Sequence, residues 1–168
     1  MNLGLSRRGE YVLQAAVALA QSSRRSTPVK LAELAARTGI PRAYAPQVLG
    51  DLTRASLAAS VLGAHGGYRL SRDPSLISLL EIVEAAEGEL GVEHCPLSDG
   101  PCSPDRTCPI HSTLERARLA LRERLAGITL AELLALPALV ESAQRPDGPV
   151  PPGGGRPACR LAIADGGG

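Results

Sequence analysis

The chain has 168 residues, 44 % hydrophobic but only 2 % aromatic, with neither Trp nor Phe, so any core is built from Leu, Ala, Val and Ile. No apolar stretch approaches the ~20 residues that cross a bilayer, and residues 1–10 lack the apolar run of a secretory signal, so the expectation is a cytoplasmic protein with no membrane partner. The net charge of +1 conceals a division: residues 1–72 carry ten Lys or Arg against Glu10, Glu33 and Asp51, a balance of +7, whereas residues 73–168 stand at −6. A basic nucleic-acid-binding head joined to an acidic sensing body has this pattern.

The spacing of Val12, Ala16, Leu19 and Ala20 predicts a first helix from about Arg8 to Gln21 with one buried face. A polar connector, Ser22 to Pro28, leads to a short helix from Leu31 to about Arg37, which stops at Thr38-Gly39, where glycine permits a left-handed turn. Pro41 suits the first position of a third helix, because its missing N–H has no partner there. That helix reaches about Ala55, with Tyr44, Val48, Leu49 and Leu52 inward. Two short helices joined by a turn containing Gly make a helix-turn-helix. Leu57 to Leu62 then reads as a strand, Gly63 to Gly67 as a turn whose glycines supply backbone angles closed to other residues, and Tyr68 to Leu70 as a returning strand. A hairpin directly after a recognition helix is a wing.

Beyond Asp73-Pro74, Ser78 and Glu81 have capping-box spacing for a helix that ends at Glu87-Gly88. Residues 89–109 form a loop rich in Gly, Pro, Asp and Cys. A longer helix, about Ile110 to Leu125, carries the stripe Leu114, Ala117, Leu121 and Leu125. Thr129 and Glu132 make a second capping box for a helix to about Leu136. From Ser142 onward Pro and Gly dominate, and such a tail buries too little apolar surface to order itself. The expected fold class is mostly α, with a winged helix-turn-helix and a two-stranded wing over residues 1–74, a cysteine-loop region over 75–141 and a disordered tail over 142–168.

Residues that read bases sit on the helix entering the major groove, and phosphates need cations. Arg42, Ala43 and Gln47 fall at the start of the third helix; Arg42 suits guanine or phosphate, and Gln47 suits adenine. Arg7, Arg8, Lys30 and Arg54 are candidate phosphate clamps, and His65 lies at the wing tip. Tyr11, Tyr44 and Tyr68 are too scattered for a single-strand stacking platform. No Ser/His/Asp spacing, phosphate-cradling glycine loop or His-Glu-x-x-His motif supports an enzyme, and a small electron carrier has no use for a basic helix-turn-helix.

Cys95, Cys102 and Cys108 are separated by six and five residues, and His111 follows Cys108 after two. Soft sulfur ligands select zinc, cuprous copper or iron–sulfur clusters over hard cations. Three Cys and one His also suit a tetrahedral structural zinc, although paired Cys-x-x-Cys knuckles are absent. A stable disulfide is disfavoured in the cytosol. Spacing alone leaves cluster and zinc open. His94 is a weaker candidate ligand, and Cys159 in the tail reads as a bystander.

Together these residues resemble the IscR/NsrR (Rrf-two) family of bacterial regulators. The resemblance rests on Leu5-Ser-Arg-Arg-Gly-Glu-Tyr11, Leu31-Ala-Glu-Leu-Ala35, Ile40-Pro-Arg-Ala-Tyr44 and Val48-Leu-Gly-Asp-Leu52. It continues through Leu57, Gly66-Gly-Tyr-Arg-Leu70, Ile82-Val-Glu-Ala-Ala-Glu-Gly88 and the cysteine loop, over roughly residues 3–136. It implies a homodimer whose long helix after the cysteines crosses its partner, transcription control at a palindromic duplex DNA operator, and a two-iron or four-iron cluster on Cys95, Cys102 and Cys108 that senses redox, nitric oxide or iron–sulfur status. His111 resembles the fourth ligand of members that hold a two-iron cluster. Glu10 stands where nitric-oxide-sensing members carry a carboxylate that reaches the partner's four-iron cluster. A winged-helix regulator with structural zinc, or with a metal-free loop answering another signal, is the alternative. The chain departs from the family at Leu62, where Arg is common, at Ala45, where leucine is usual, and at Pro46. Proline there is expected to kink the third helix or delay its regular start.

Overall fold

A computed structural model describes residues 5–23, 27–63, 65–90 and 109–136. In chain order these hold α1 (Arg7–Ser23), α2 (Leu31–Thr38), α3 (Ala45–Arg54), β1 (Ala58–Val61) and β2 (Gly67–Leu70). A 3₁₀ turn (Pro74–Leu76), α4 (Leu79–Glu87), α5 (Pro109–Ala126) and α6 (Leu130–Ala135) follow. The mostly helical winged architecture read from the sequence is present, with element ends moved by a few residues.

Gly39 closes α2 at φ 70°, donating its N–H to Ala35 O at 3.0 Å, so the turn of the helix-turn-helix needs the left-handed freedom of glycine. The third helix starts later than the position of Pro41 predicted. Pro41 instead heads a turn in which its carbonyl accepts from Tyr44 N at 2.8 Å and Ala45 N at 3.0 Å. The regular helix begins at Ala45, which places Pro46 in its first turn, where a missing N–H costs no intrahelical bond. Pro46 therefore delays the start of α3.

β1 and β2 pair antiparallel, with Ala58 opposite Leu70, Ala59 opposite Arg69, Ser60 opposite Tyr68 and Val61 opposite Gly67. A third segment joins them: Val29, just before α2, exchanges both backbone bonds with Tyr68 at 2.8 Å. This close approach explains Gly67 better than backbone angle does, and the Val61 and Gly63 carbonyls, which a Cβ would strike, explain Gly66. Among the wing glycines only Gly63 takes a left-handed φ, 110°, whereas a Cβ on Gly67 would lie 2.5 Å from Val29 O.

The core joins both halves of the chain. Val12, Leu19, Leu34, Leu49, Leu52 and Leu57 pack with Ile77, Ile82 and Leu130 in one buried cluster. Leu130 reaches it because the backbone of Ser78 bridges that of Thr129: Leu79 N donates to Ile128 O and Leu130 N to Ile77 O, each at 2.8 Å. The C-terminal α6 is thereby pinned against α1 and the 3₁₀ turn, beside the helix-turn-helix. Burying each such Leu or Ile contributes roughly 1.5–3 kcal/mol.

Both capping boxes form. Ser78 Oγ accepts from Glu81 N at 3.3 Å while Glu81 Oε2 accepts from Ser78 N at 2.9 Å, and Thr129 and Glu132 repeat the arrangement at 3.2 and 2.7 Å. Partial burial alone would push the Glu81 carboxyl upward, but the Ser78 N–H and the Arg72 guanidinium outweigh it and hold it below the usual carboxylate range. The Thr129 N–H, then its hydroxyl, lowers Glu132 likewise. A carboxylate with a lowered folded pKa contributes stability that is present above the unfolded value and lost as pH falls through the folded one. Thermal melts should therefore show wild type losing stability below about pH 4.5. Ser78→Ala should cost about 1 kcal/mol at pH 7, and that difference should shrink as the medium is acidified to pH 3. A pH-independent difference would contradict the reciprocal cap.

Candidate nucleic-acid interface

The turn before α3 and the first turn of α3 form the exposed corner of the helix-turn-helix. Its footing is rigid: Ala45, Val48, Leu49 and Leu52 are each 0 % exposed, so the opposite face, with Arg42, Ala43, Pro46 and Gln47, is presented to solvent. Arg42 and Ala43 lie in the turn preceding α3, and not in its first helical turn as the sequence suggested; Gln47 is within that first turn. The shift follows from the late helix start described above. Arg42 is exposed at this corner and makes no ion pair among the described residues.

The other predicted cations fall into two groups. Arg7 is exposed, donates to Glu10 at 3.1 Å and lies over the Tyr11 ring at 5.2 Å from its centroid. Tyr11 meets Tyr44 edge-on at 5.7 Å, so this aromatic pair couples the start of α1 to the turn carrying Arg42. Lys30 is exposed at the N-terminal end of α2, and His65 is exposed on the wing. Arg8 and Arg54 converge instead on one carboxylate. Arg8 Nε and Nη2 each donate to Asp51 at 2.7 Å, Arg54 Nη2 donates to it as well, and the Asp51 side chain is 0 % exposed. The Asp51 hydrogen bond, opposed by desolvation, raises the Arg8 pKa further.

Sequence reasoning missed Asp51 because an acidic residue in a basic helix-turn-helix reads as surface. Its signal was its spacing: it falls on the buried side of α3 with Val48 and Leu52. Arg69 was missed too. Alternation along β2 sets it exposed opposite Ala59, which adds a cation to the wing face.

Cys95, Cys102 and Cys108 lie outside the described residues, as do His94 and Cys159. The described ends of the loop are anchored. Leu90 N donates to Glu84 Oε1 at 3.3 Å, and Arg118 donates to Leu90 O at 2.6 Å. Arg122 pairs with Glu84, so the chain leaves α4 already strapped to α5. His111 is half-buried in the first turn of α5 and Glu10 is half-buried in that of α1. Among the described residues no group of three or more His, Cys, Asp or Glu side chains is arranged to hold a metal ion.

Comparison with known proteins decides the family. The model of Rrf2, described as an iron-dependent transcriptional regulator, matches residues 5–136. The chain belongs to the Rrf2 family of transcriptional regulators. It is 32 % identical to the regulator IscR of Vibrio vulnificus over 143 residues, covering 85 % of this chain and 84 % of that one. The solved structure of T. potens IscR superposes with a TM-score of 0.65 at 32 % identity, covering 88 % of this chain and 96 % of that one. CymR, the global cysteine regulator of B. subtilis, superposes with a TM-score of 0.64 at 27 % identity, covering 80 % and 98 %. This Rrf2 protein is thus an IscR-like transcription regulator and not an enzyme, and no helix among its described residues is long and apolar enough to cross a membrane.

Proposed function

We propose that this Rrf2 regulator works in the cytoplasm, binds a duplex operator as a homodimer, and reports redox, nitric oxide or iron–sulfur status through a cluster held by Cys95, Cys102 and Cys108. The observation that carries DNA binding is the corner of α3: uncompensated Arg42 and exposed Gln47 stand on a face whose opposite side is wholly buried. Arg7 and Lys30, with His65 on the wing, add contacts to phosphate, and Arg42, Ala43 and Gln47 meet base edges.

Dimerisation is supported by α5. Among the described side chains of this 18-residue helix none is buried, and Ile110 and Leu121, which fall on one face of it, are 39 % and 42 % exposed. A second copy of the same helix would cover these side chains, and two recognition helices about one DNA turn apart would then match a palindrome.

The loop chemistry fits a cluster. Three soft thiolates lie in one segment whose two ends are strapped together by Arg118 and Arg122, with His111 or Glu10 as the candidate fourth ligand. When bound, such a cluster supplies sensitivity to oxidant and nitric oxide. The chain's own contribution is to couple the loop, through Glu84, to α4 and the core, and through α5 to the partner. The likeness to CymR favours a second reading, in which the same scaffold answers another signal through a zinc-bound or metal-free loop.

DNA binding is tested by titrating duplex with the full chain at several salt concentrations. Affinity should fall steeply with salt because each phosphate contact releases counterions, with two chains bound per duplex. Arg42→Ala should weaken binding about tenfold or more, with unchanged thermal stability since Arg42 is exposed. Salt-insensitive binding, or an Arg42→Ala variant equal to wild type, would remove this reading.

A further inference from the structure

Gly50 is a helix-interior glycine for which the chain itself gives no reason. It lies in the middle of α3 without a left-handed φ, and a Cβ built on it meets nothing within 4 Å. Gly9, in α1, differs: a Cβ there would meet Glu87 Oε1 and stand 3.2 Å from Leu5 Cβ, so neighbours within the chain crowd it. Glycine inside a helix is less stable than alanine, because it loses more backbone entropy on folding. At Gly50 no contact among the described residues offsets that loss.

The missing side chain opens onto a cleft of about 300 Å³ between α3 and the wing, lined by Pro46, Gly50, Thr53, Arg54, Ser60 and Tyr68. One wall is the outer face of the recognition helix and the other is the β1–β2 hairpin. The lining combines three hydroxyl residues with one guanidinium and includes no carboxylate. Arg54 folds back so that its Nε donates to Gly50 O at 3.3 Å and its Nη2 to Asp51. Since Asp51 also takes Arg8, two guanidiniums share one carboxylate and a net positive charge stays beside the α3 backbone at this spot. The Thr53 hydroxyl is given to Leu49 O, and the Ser60 and Tyr68 hydroxyls with the Arg54 guanidinium, around a shallow floor that lacks a side chain at Gly50, suit a phosphodiester. They suit a base edge poorly, since base reading needs side chains that project from the helix.

We propose that the cleft between α3 and the wing seats the sugar–phosphate backbone of one operator strand, and that Gly50 is the positioning residue that lets this strand approach the helix backbone. The inference rests on the DNA-binding reading above and deepens it. The stability given up at Gly50 within the chain is recovered as contact with DNA.

The test uses the full chain, the variants Gly50→Ala and Gly50→Gln, and a duplex that wild type selects from a random-sequence pool. Single-base-pair variants of that duplex form the comparison panel. Both variants should melt at or above the wild-type temperature, Gly50→Ala higher by roughly 2–4 °C. Affinity should fall about tenfold for Gly50→Ala and further for Gly50→Gln, by the same factor on every duplex of the panel, because a backbone contact carries no sequence information. Wild-type affinity in both variants would overturn the proposal, and so would a lowered melting temperature, which would show an internal role for the glycine. A loss that varies from one base pair to another would put a base edge in the cleft and overturn the assignment to backbone. If wild type selects no duplex, the DNA-binding reading itself fails.

Discussion

Arg8→Met should lower the unfolding free energy by about 3 kcal/mol, measured by chemical denaturation at pH 7. The cause is Asp51, whose carboxylate is 0 % exposed and takes two 2.7 Å hydrogen bonds from Arg8. Without them the buried charge keeps only Arg54, whose side chain is 71 % exposed and whose pairing is correspondingly screened. Desolvation of Asp51 is then no longer repaid. Asp51→Asn in the Arg8→Met background should restore part of the loss, because a neutral amide is cheaper to leave partly unpaired. A double-mutant cycle should give a coupling of about 2 kcal/mol between the two sites. A loss under about 0.5 kcal/mol would reduce the pair to a surface contact. The same variant examines the phosphate-clamp reading of Arg8. With its Nε and Nη2 turned inward, Arg8→Met should leave the salt dependence of DNA binding unchanged in the folded protein, whereas loss of a phosphate contact would lower that slope by about one.

Cys102→Ala should abolish cluster binding altogether, and with it the change in operator affinity on exposure to nitric oxide or oxidant. The readout is direct, because no amino-acid side chain absorbs visible light and an iron–sulfur cluster does. Wild type purified anaerobically should be coloured and contain iron and sulfide; Cys102→Ala should be colourless. Its thermal unfolding should stay near wild type, since the core from Val12 to Leu130 among the described residues does not depend on Cys102 for its packing. His111→Ala and Glu10→Ala separate the two candidate fourth ligands by which one alters the spectrum. Glu10 already accepts from Arg7 at 3.1 Å, so a ligand role for it requires that ion pair to open. A colourless wild type that holds zinc after anaerobic reconstitution with iron and sulfide would overturn the cluster in favour of the zinc reading. An equal response in wild type and Cys102→Ala would place the sensor elsewhere.

How much was legible from residues alone depended on the range of the interaction. Ser78 with Glu81 and Thr129 with Glu132 were readable as capping boxes, because four consecutive residues contain both donors and both acceptors. Gly39 and the α3 stripe of Val48, Leu49 and Leu52 were readable for the same reason: a helix end and a helix face are local, periodic features. So was the winged helix-turn-helix as a succession of elements, and the exposed position of Arg42, Ala43 and Gln47. The start of α3 was misplaced because Pro41 and Pro46 both suit a helix N-terminus. The choice between them was made by the hydrogen bonds of Tyr44 and Ala45 to Pro41 O.

What local pattern could not supply was partnership across the chain. Nothing near Arg8 in sequence marks it as the partner of a carboxylate 43 residues away, so a residue with the composition of a phosphate clamp became the counter-ion of a buried Asp51. Val29 looks like a linker residue until it pairs with Tyr68, and that approach is what forbids a side chain at Gly67. Leu130 looks like part of a separate C-terminal segment until the Ser78–Thr129 bridge carries it into the core of the winged domain. The sequence by itself determined the helices, their caps and the family pattern, because those depend on neighbours a few residues apart. Only the tertiary structure decided which charges face inward and which glycine leaves open space, because burial and desolvation are set by whatever the fold brings from a distance.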